Sequence, residues 1–235
     1  MSSKSIAANR GNTGMNVKKM TILAMFIALG YVCLFVFRIK VQFLTLEFKD
    51  VFITMSGFIF GPLAAAAVAL AESLLELATL SDTGFWGALM NFAGSAAFAV
   101  TASLIYKFNK TFKGAVIGLV SAVFSMTAVM LLMNILITPI YMHTDVNTVA
   151  GMIPKLLLPF NLIKGMLNAA IAFILYKPLS QALRATGMLP KSSAGGFTVN
   201  RKSVFGLMVA LAVVVASVVL IFTMFEGSSF EFVKK

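Results

Sequence analysis

Long apolar runs recur along the whole chain, at 20–37, 51–80, 85–106, 114–136, 158–179 and 204–225. About 20 residues of helix cross the ~30 Å hydrocarbon core of a bilayer, and each run is about that long or longer. Lipid offers the backbone no hydrogen-bond partner, so runs of this kind satisfy themselves as helices. The expected fold class is therefore an all-α integral membrane protein. Composition agrees, with 60% hydrophobic and 11% charged residues among 235; a soluble domain carries about 25% charge. In a soluble protein the net charge of +11 would suggest nucleic acid. Here the basic residues stand between apolar runs, where they set orientation in the bilayer, and no nucleic-acid partner is expected. Cys33 is the one cysteine, so a disulfide framework is excluded and a packing role is expected.

Residues 1–19 are polar and carry Lys4, Arg10, Lys18 and Lys19. They are expected to form a cytoplasmic tail before an uncleaved first span, since 20–37 is long for a signal sequence and no small-residue cleavage site comes after it. The 30 residues of 51–80 would make one helix of ~45 Å, unless the chain turns at Gly61-Pro62. Charge decides between the two. With the turn, 12 of the 19 Lys and Arg residues share the side of the N-terminus; without it, eight do. The positive-inside rule favours the turn. All eight acids then lie on or toward the outer side. Residues 138–157, with Pro139 and Pro154, read as an outer loop. Residues 20–185 thus form a six-helix unit, 186–203 a cytoplasmic linker, 204–225 one appended membrane helix, and 226–235 an extracellular tail. The six-helix unit is expected to stand without the linker, the appended helix and the tail.

Polar residues inside apolar runs are the candidates for function, because each is expensive in a membrane. Asn161, Lys164, Gly165 and Asn168 fall at i, i+3, i+4 and i+7, one donor-rich helix face behind Pro159. Glu72 and Glu76 are one turn apart. Glu72 is expected to line a polar pocket and pair with Lys164 or Lys155, and Glu76 to reach the outer interface. Asn91 and Asn134 are buried amides that need partners, suited to a flat heterocycle with amide edges or to interhelical hydrogen bonds. Residues 38–50 alternate polar and apolar around Phe43–Phe48 with period two. Such a segment can cap an outward pocket or lie in the headgroup zone. Phe85 and Trp86 suit the interface. Ala24 and Ala28, like Gly57 and Gly61, are small residues four apart that permit close helix approach. His143 stands alone in a loop. No metal cluster, nucleophile triad or phosphate loop is present, and without a Walker motif the chain cannot hydrolyse ATP itself.

These stretches together resemble the substrate-binding (S) component of energy-coupling-factor vitamin transporters, most closely the riboflavin-specific members. The resemblance spans about 15–185. It rests on Phe43-Leu44 through Phe48-Lys49-Asp50, Gly57-Phe58-Ile59-Phe60-Gly61-Pro62, Asn91-Phe92-Ala93-Gly94, Asn134, Pro139-Ile140-Tyr141 and Leu158 to Gly165. It implies a six-helix fold and binding without catalysis, with riboflavin as cargo and no cofactor. Asn161 and Lys164 would hydrogen-bond the flavin, Leu44, Thr45 and Leu46 would cover it, and Asn91 and Asn134 would stand nearby. Ala24 and Ala28 would contact a transmembrane coupling subunit that carries two cytoplasmic ATP-binding subunits. The chain departs from the pattern at Glu47 (usually Asp), Lys49 (usually Ser), Val51 (usually Pro) and Glu72 (commonly Lys). A carboxylate at Glu72 close to the ligand would disfavour a phosphate-bearing flavin. The alternatives are an S component for another flavin or vitamin, a structural membrane scaffold, or a proton-coupled carrier using Glu72 and Glu76.

Overall fold

The computed structural model describes residues 3–80, 84–185, 187, 201–225 and 229–231. The expected linker and outer tail therefore fall largely outside the described residues, as does the turn at 81–83. Helix α1 runs Ser3–Val36. The polar residues from Ser3 on are helical and continuous with the first apolar span, Val17–Val36.

The alternating segment after α1 is a β-hairpin. Strands β1 (Arg38–Val41) and β2 (Leu44–Glu47) pair antiparallel, with Val41 opposite Leu44 and Arg38 opposite Glu47. Gln42 makes the turn at φ 54. Successive strand residues point to opposite faces. Ile39, Val41 and Leu46 are buried in an apolar cluster, which leaves Arg38, Lys40, Thr45 and Glu47 together on the other face.

Helix α2 (Lys49–Phe60) ends at Gly61, whose φ of 97 suits a residue without a Cβ. Pro62 then opens α3 (Pro62–Thr79) at a position where its missing N–H costs nothing. A Cβ built on Gly57 would lie 2.9 Å from the Ala65 Cβ and 2.7 Å from the Ser103 Cβ. Residues 57 and 65 therefore face each other, and the chain folds back at the expected break. Helices α4 (Gly84–Phe108) and α5 (Phe112–Met142) come next.

The expected outer loop at 138–157 is mostly helical. Pro139 sits in the last turn of α5, and His143 ends the helix at φ 50 with its N–H donating to Pro139 O. The Asp145 carboxylate then caps α6 (Val146–Met152) by accepting from Asn147 N at 3.0 Å. A π-helical turn, Ile153–Leu157, leads directly into α7 (Leu158–Ala185). Pro154 opens that turn instead of breaking the helix.

Six helical stretches are long and apolar enough to cross a membrane: Val17–Val36, Pro62–Thr79, Gly84–Phe108, Lys113–Met142, Val146–Ala185 and Val204–Met224. Helix α2, with 12 residues, falls short of that length, so the described residues hold six candidate spans where the sequence reading has seven. Helix α8 (Arg201–Met224) packs against α7. A short strand, β3 (Ser229–Glu231), pairs antiparallel with β1. Among the described residues, the exception to the helical fold is thus a three-stranded sheet of order β2-β1-β3.

Aromatic contacts order the two ends of the bundle. The Lys19 ammonium lies 5.7 Å over the Phe60 ring, bringing the end of α2 beside the start of the first span. Phe58, Tyr106 and Tyr176 cluster at centroid distances of 4.6–5.6 Å. The ends of α2, α4 and α7 therefore share that side, and the hairpin lies at the other.

Candidate functional site

Beneath the hairpin lies a cavity of about 370 Å³, within the ~300–1,000 Å³ range of small-molecule sites. Its walls come from β1, β2, α3, α4, α5 and α7. The polar hairpin face supplies Arg38, Lys40, Thr45 and Glu47; α7 adds Asn161 and Lys164; Glu76, Asn91, Ser95 and Tyr141 complete the polar lining. Phe43, Leu44, Met126, Met130 and Phe160 give apolar surface. A larger cavity of about 690 Å³ lies at the opposite end, among Phe58, Tyr106, Tyr176 and Leu207. Its lining is mostly apolar, so the smaller cavity, with convergent polar groups on several elements, is the candidate site.

The polar floor is organised around Lys49, a side chain only 1% exposed. Its ammonium donates to Glu76 Oε2 and lies 3.1 Å from Glu47 Oε2. Asn91 Nδ2 donates to the other Glu76 oxygen at 2.8 Å. Two buried carboxylates thus share one cation, an arrangement that low dielectric makes strong and costly to break. Burial alone would raise the Glu47 carboxyl; the Lys49 ammonium, with Lys164 and Arg38, outweighs it and holds the group below its ordinary value. Ser95 Oγ donates to Asp50 Oδ1 beside this cluster.

Helix α7 ties itself to the hairpin. Lys164 Nζ donates to Thr45 O at 3.3 Å, and Asn168 Nδ2 to Glu47 O at 3.0 Å. One contact leaves Lys164 two further N–H donors at the cavity wall. Asn161 Nδ2 donates to Leu157 O at 2.8 Å, so its side-chain oxygen is what it can offer a ligand. Arg38 Nε is buried with no hydrogen-bond partner, another donor at the wall. This is the toolkit of noncovalent recognition. Among the described residues no cluster of His, Cys, Asp or Glu could hold a metal.

Of the residues singled out from sequence, the structure brings Leu44, Thr45, Asn91, Asn161 and Lys164 to the cavity. The remaining candidates fall differently from expectation. Glu72 is 2% exposed and does not line the cavity; its two oxygens have no hydrogen-bond partner, and it packs against Gly30 of α1. Glu76, expected at the interface, is the carboxylate in the wall, and its partner is Lys49 rather than Lys164 or Lys155. Glu76 thus takes the place expected of Glu72, while Glu72 is buried against α1 and reaches neither cavity nor interface. Asn134 bonds within α5, donating to Met130 O and accepting from Thr138. Leu46 packs in the apolar cluster behind the hairpin. Gly165 gives close approach to α5, since a Cβ there would lie 3.0 Å from Val123 Cγ1. Asn168 serves the hairpin backbone. Ala24 and Ala28 are exposed on α1.

Sequence reasoning missed Arg38, Lys40, Glu47 and Tyr141 as wall residues and Lys49 as the central cation. Alternation alone separates Thr45 and Glu47 from Leu44 and Leu46; a two-residue turn at Gln42-Phe43, which pairs Lys40 with Thr45 and Arg38 with Glu47, is what adds Arg38 and Lys40 to that face. Tyr141 belongs to a stretch that carries the family resemblance, but its segment read as loop and so was not placed in the wall.

Residues 18–180 match the model of a protein family, "ECF transporter, substrate-specific component". The chain belongs to this family. It is a transporter S component, not an enzyme. The chain is 32% identical over 178 residues to the riboflavin transporter RibU of Staphylococcus aureus (strain TCH60), covering 71% of this chain and 93% of that protein. It is 26% identical over 186 residues to the riboflavin transporter FmnP of Bacillus subtilis (strain 168), covering 73% and 98%. A solved structure of the S component of a bacterial ECF transporter superposes with a TM-score of 0.62 at 31% identity, over 72% of this chain and 99% of that one. This S component is a multi-pass membrane protein, and its family sets aside the scaffold and proton-coupled carrier readings.

Proposed function

We propose that this S component binds riboflavin from outside the cell and delivers it for ATP-driven uptake. The observation that carries the reading is the composition of the cavity wall. Phe43, Phe160, Leu44 and methionines offer flat apolar surface, while Asn91, Asn161, Lys164 and Arg38 offer amide and cationic groups. A flavin needs both, an apolar slot for its rings and hydrogen bonds for its carbonyl and N–H edge. Relatives that are riboflavin transporters support the same cargo. The argument against FMN falls with Glu72, which lies outside the cavity; the wall carries three cations, Arg38, Lys40 and Lys164, against Glu47 and Glu76, which also share Lys49.

The binding unit is 20–185, with 204–225 an additional membrane helix beyond the six of the family fold. Helix α2 counts as the short second crossing, because its end reaches Lys19. The side holding Lys19, Lys107, Lys110, Lys113, Lys177 and Arg184 is cytoplasmic by the positive-inside rule, and the cavity opens outward. The exposed Ala24–Ala28 face of α1 seats the coupling subunit, which brings two ATP-binding subunits. Fluorescence titration of the detergent-purified protein with riboflavin, FMN and thiamine tests the cargo. Saturable quenching by riboflavin and none by thiamine is expected; tighter binding of another ligand, or no flavin binding by folded protein, rejects it.

A further inference from the structure

The family match ends at residue 180, before α8 and β3 begin. Yet this segment meets the cavity wall at two places. First, β3 occupies the outer edge of β1, with Ser229 opposite Lys40, Phe230 opposite Ile39 and Glu231 opposite Arg38. Arg38 and Lys40 are wall residues. Since β2 holds the other edge of β1, removing β3 would leave a row of unpaired backbone groups on the strand that forms the wall. Second, the Phe225 ring lies 6.3 Å from the Phe160 ring at 70°, edge on. Phe160 is itself a wall residue, and Ile221, fully buried, joins Ile39, Val41, Leu44 and Leu46 in one apolar cluster.

We infer that α8 and β3 are a positioning element of the substrate cavity, holding β1 by its edge and Phe160 by its ring, so that substrate residence time is set partly by residues outside the family's common fold. This deepens the riboflavin reading and rests on it. It also replaces the expectation that the six-helix unit is self-sufficient. A ligand leaves faster from a cavity whose wall strand is held on one edge than from one held on both.

The test keeps the full chain, with Cys33→Ala as background. Consecutive prolines, S229P with F230P, remove whichever N–H of the ladder faces β1. Phe225→Ala removes the ring contact. Ile39→Cys with Phe230→Cys places a disulfide at Cα partners, whose spacing of about 4.5–5.5 Å suits the bond. Riboflavin release is measured by stopped-flow fluorescence, and amide exchange across residues 38–47 is measured without ligand. The prolines should speed release about 5- to 30-fold, the range of one to two net backbone hydrogen bonds. Phe225→Ala should act in the same direction. The disulfide should slow release, and a reductant should reverse that in the same sample. A merely structural role would lower the melting temperature and leave release unchanged. Unchanged release in a proline variant whose β1 exchange has quickened overturns the inference, as does unchanged β1 exchange. If the parent chain binds no flavin, the riboflavin reading fails, and β1 exchange alone decides whether β3 holds the wall.

Discussion

Lys49 is the side chain on which the polar floor depends, since Glu47 and Glu76 both lean on it. Lys49→Met leaves two carboxylates buried without their cation and should destabilise the protein by ~3–5 kcal/mol, read by thermal unfolding in detergent. Glu47 makes the effect pH-dependent. Its folded value is lowered by the surrounding cations, so its contribution is complete above the unfolded value of about 4.3 and is lost as pH falls through the folded one. The acid loss of melting temperature should shrink in Glu47→Gln. Lys164→Ala should weaken flavin binding by ~1.5–3 kcal/mol, whereas Glu72→Gln should change it less than about twofold, being off the wall. Titration of both variants checks that contrast. At this scale the sequence exposes isolated polar residues in apolar runs, which is why Asn161, Lys164 and Asn91 were legible. It hides partners distant in the chain. Lys49 meets Glu76 across 27 positions, and Asn168 meets Glu47 across 121. With two glutamates one turn apart, only that pairing tells which faces the cavity.

The hairpin and the α2–α3 break show what local signals decide at the level of elements. Period-two alternation marks β2, and Gly61-Pro62 marks the fold-back, because both act through backbone geometry at the residues themselves. Gly61→Ala forces a Cβ into φ 97 and should cost ~1–3 kcal/mol, visible as a lower melting temperature with flavin affinity retained. The same kind of signal misled at 138–157. Pro139 reads as a helix breaker, yet in the last turn of α5 the helix tolerates it, and Asp145 starts a new helix three residues after the old one ends. A one-residue αL reversal at His143 replaces the expected loop. At the N-terminus, polar composition gives no sign of the helix that runs from Ser3 into Val17–Val36, because a helix once formed extends at little cost per residue.

The whole molecule carries a cavity at the hairpin end and, on the proposed function, an α1 surface that seats the coupling subunit. Ala24 and Ala28 lie exposed on that surface. Ala24→Trp should abolish flavin uptake by cells carrying the energising subunits while leaving flavin titration of the purified protein unchanged; normal uptake would remove this surface from the docking site. Six of the seven spans read from the sequence were legible as long apolar helices, because lipid constrains every residue of a crossing; α2, with 12 residues, falls short of that length. The assembly of the cavity was not legible, since it draws on six elements. Only three residues separate Phe225 from Ser229, and this gives the third strand a further property. It meets β1 as a tethered ligand, at an effective concentration on the order of millimolar. A free peptide of the same sequence competes poorly with it. Proteolysis within 188–200 leaves the strand seated, because α8 still anchors it, whereas a single cut within 226–228 makes its binding bimolecular and lets it dilute away.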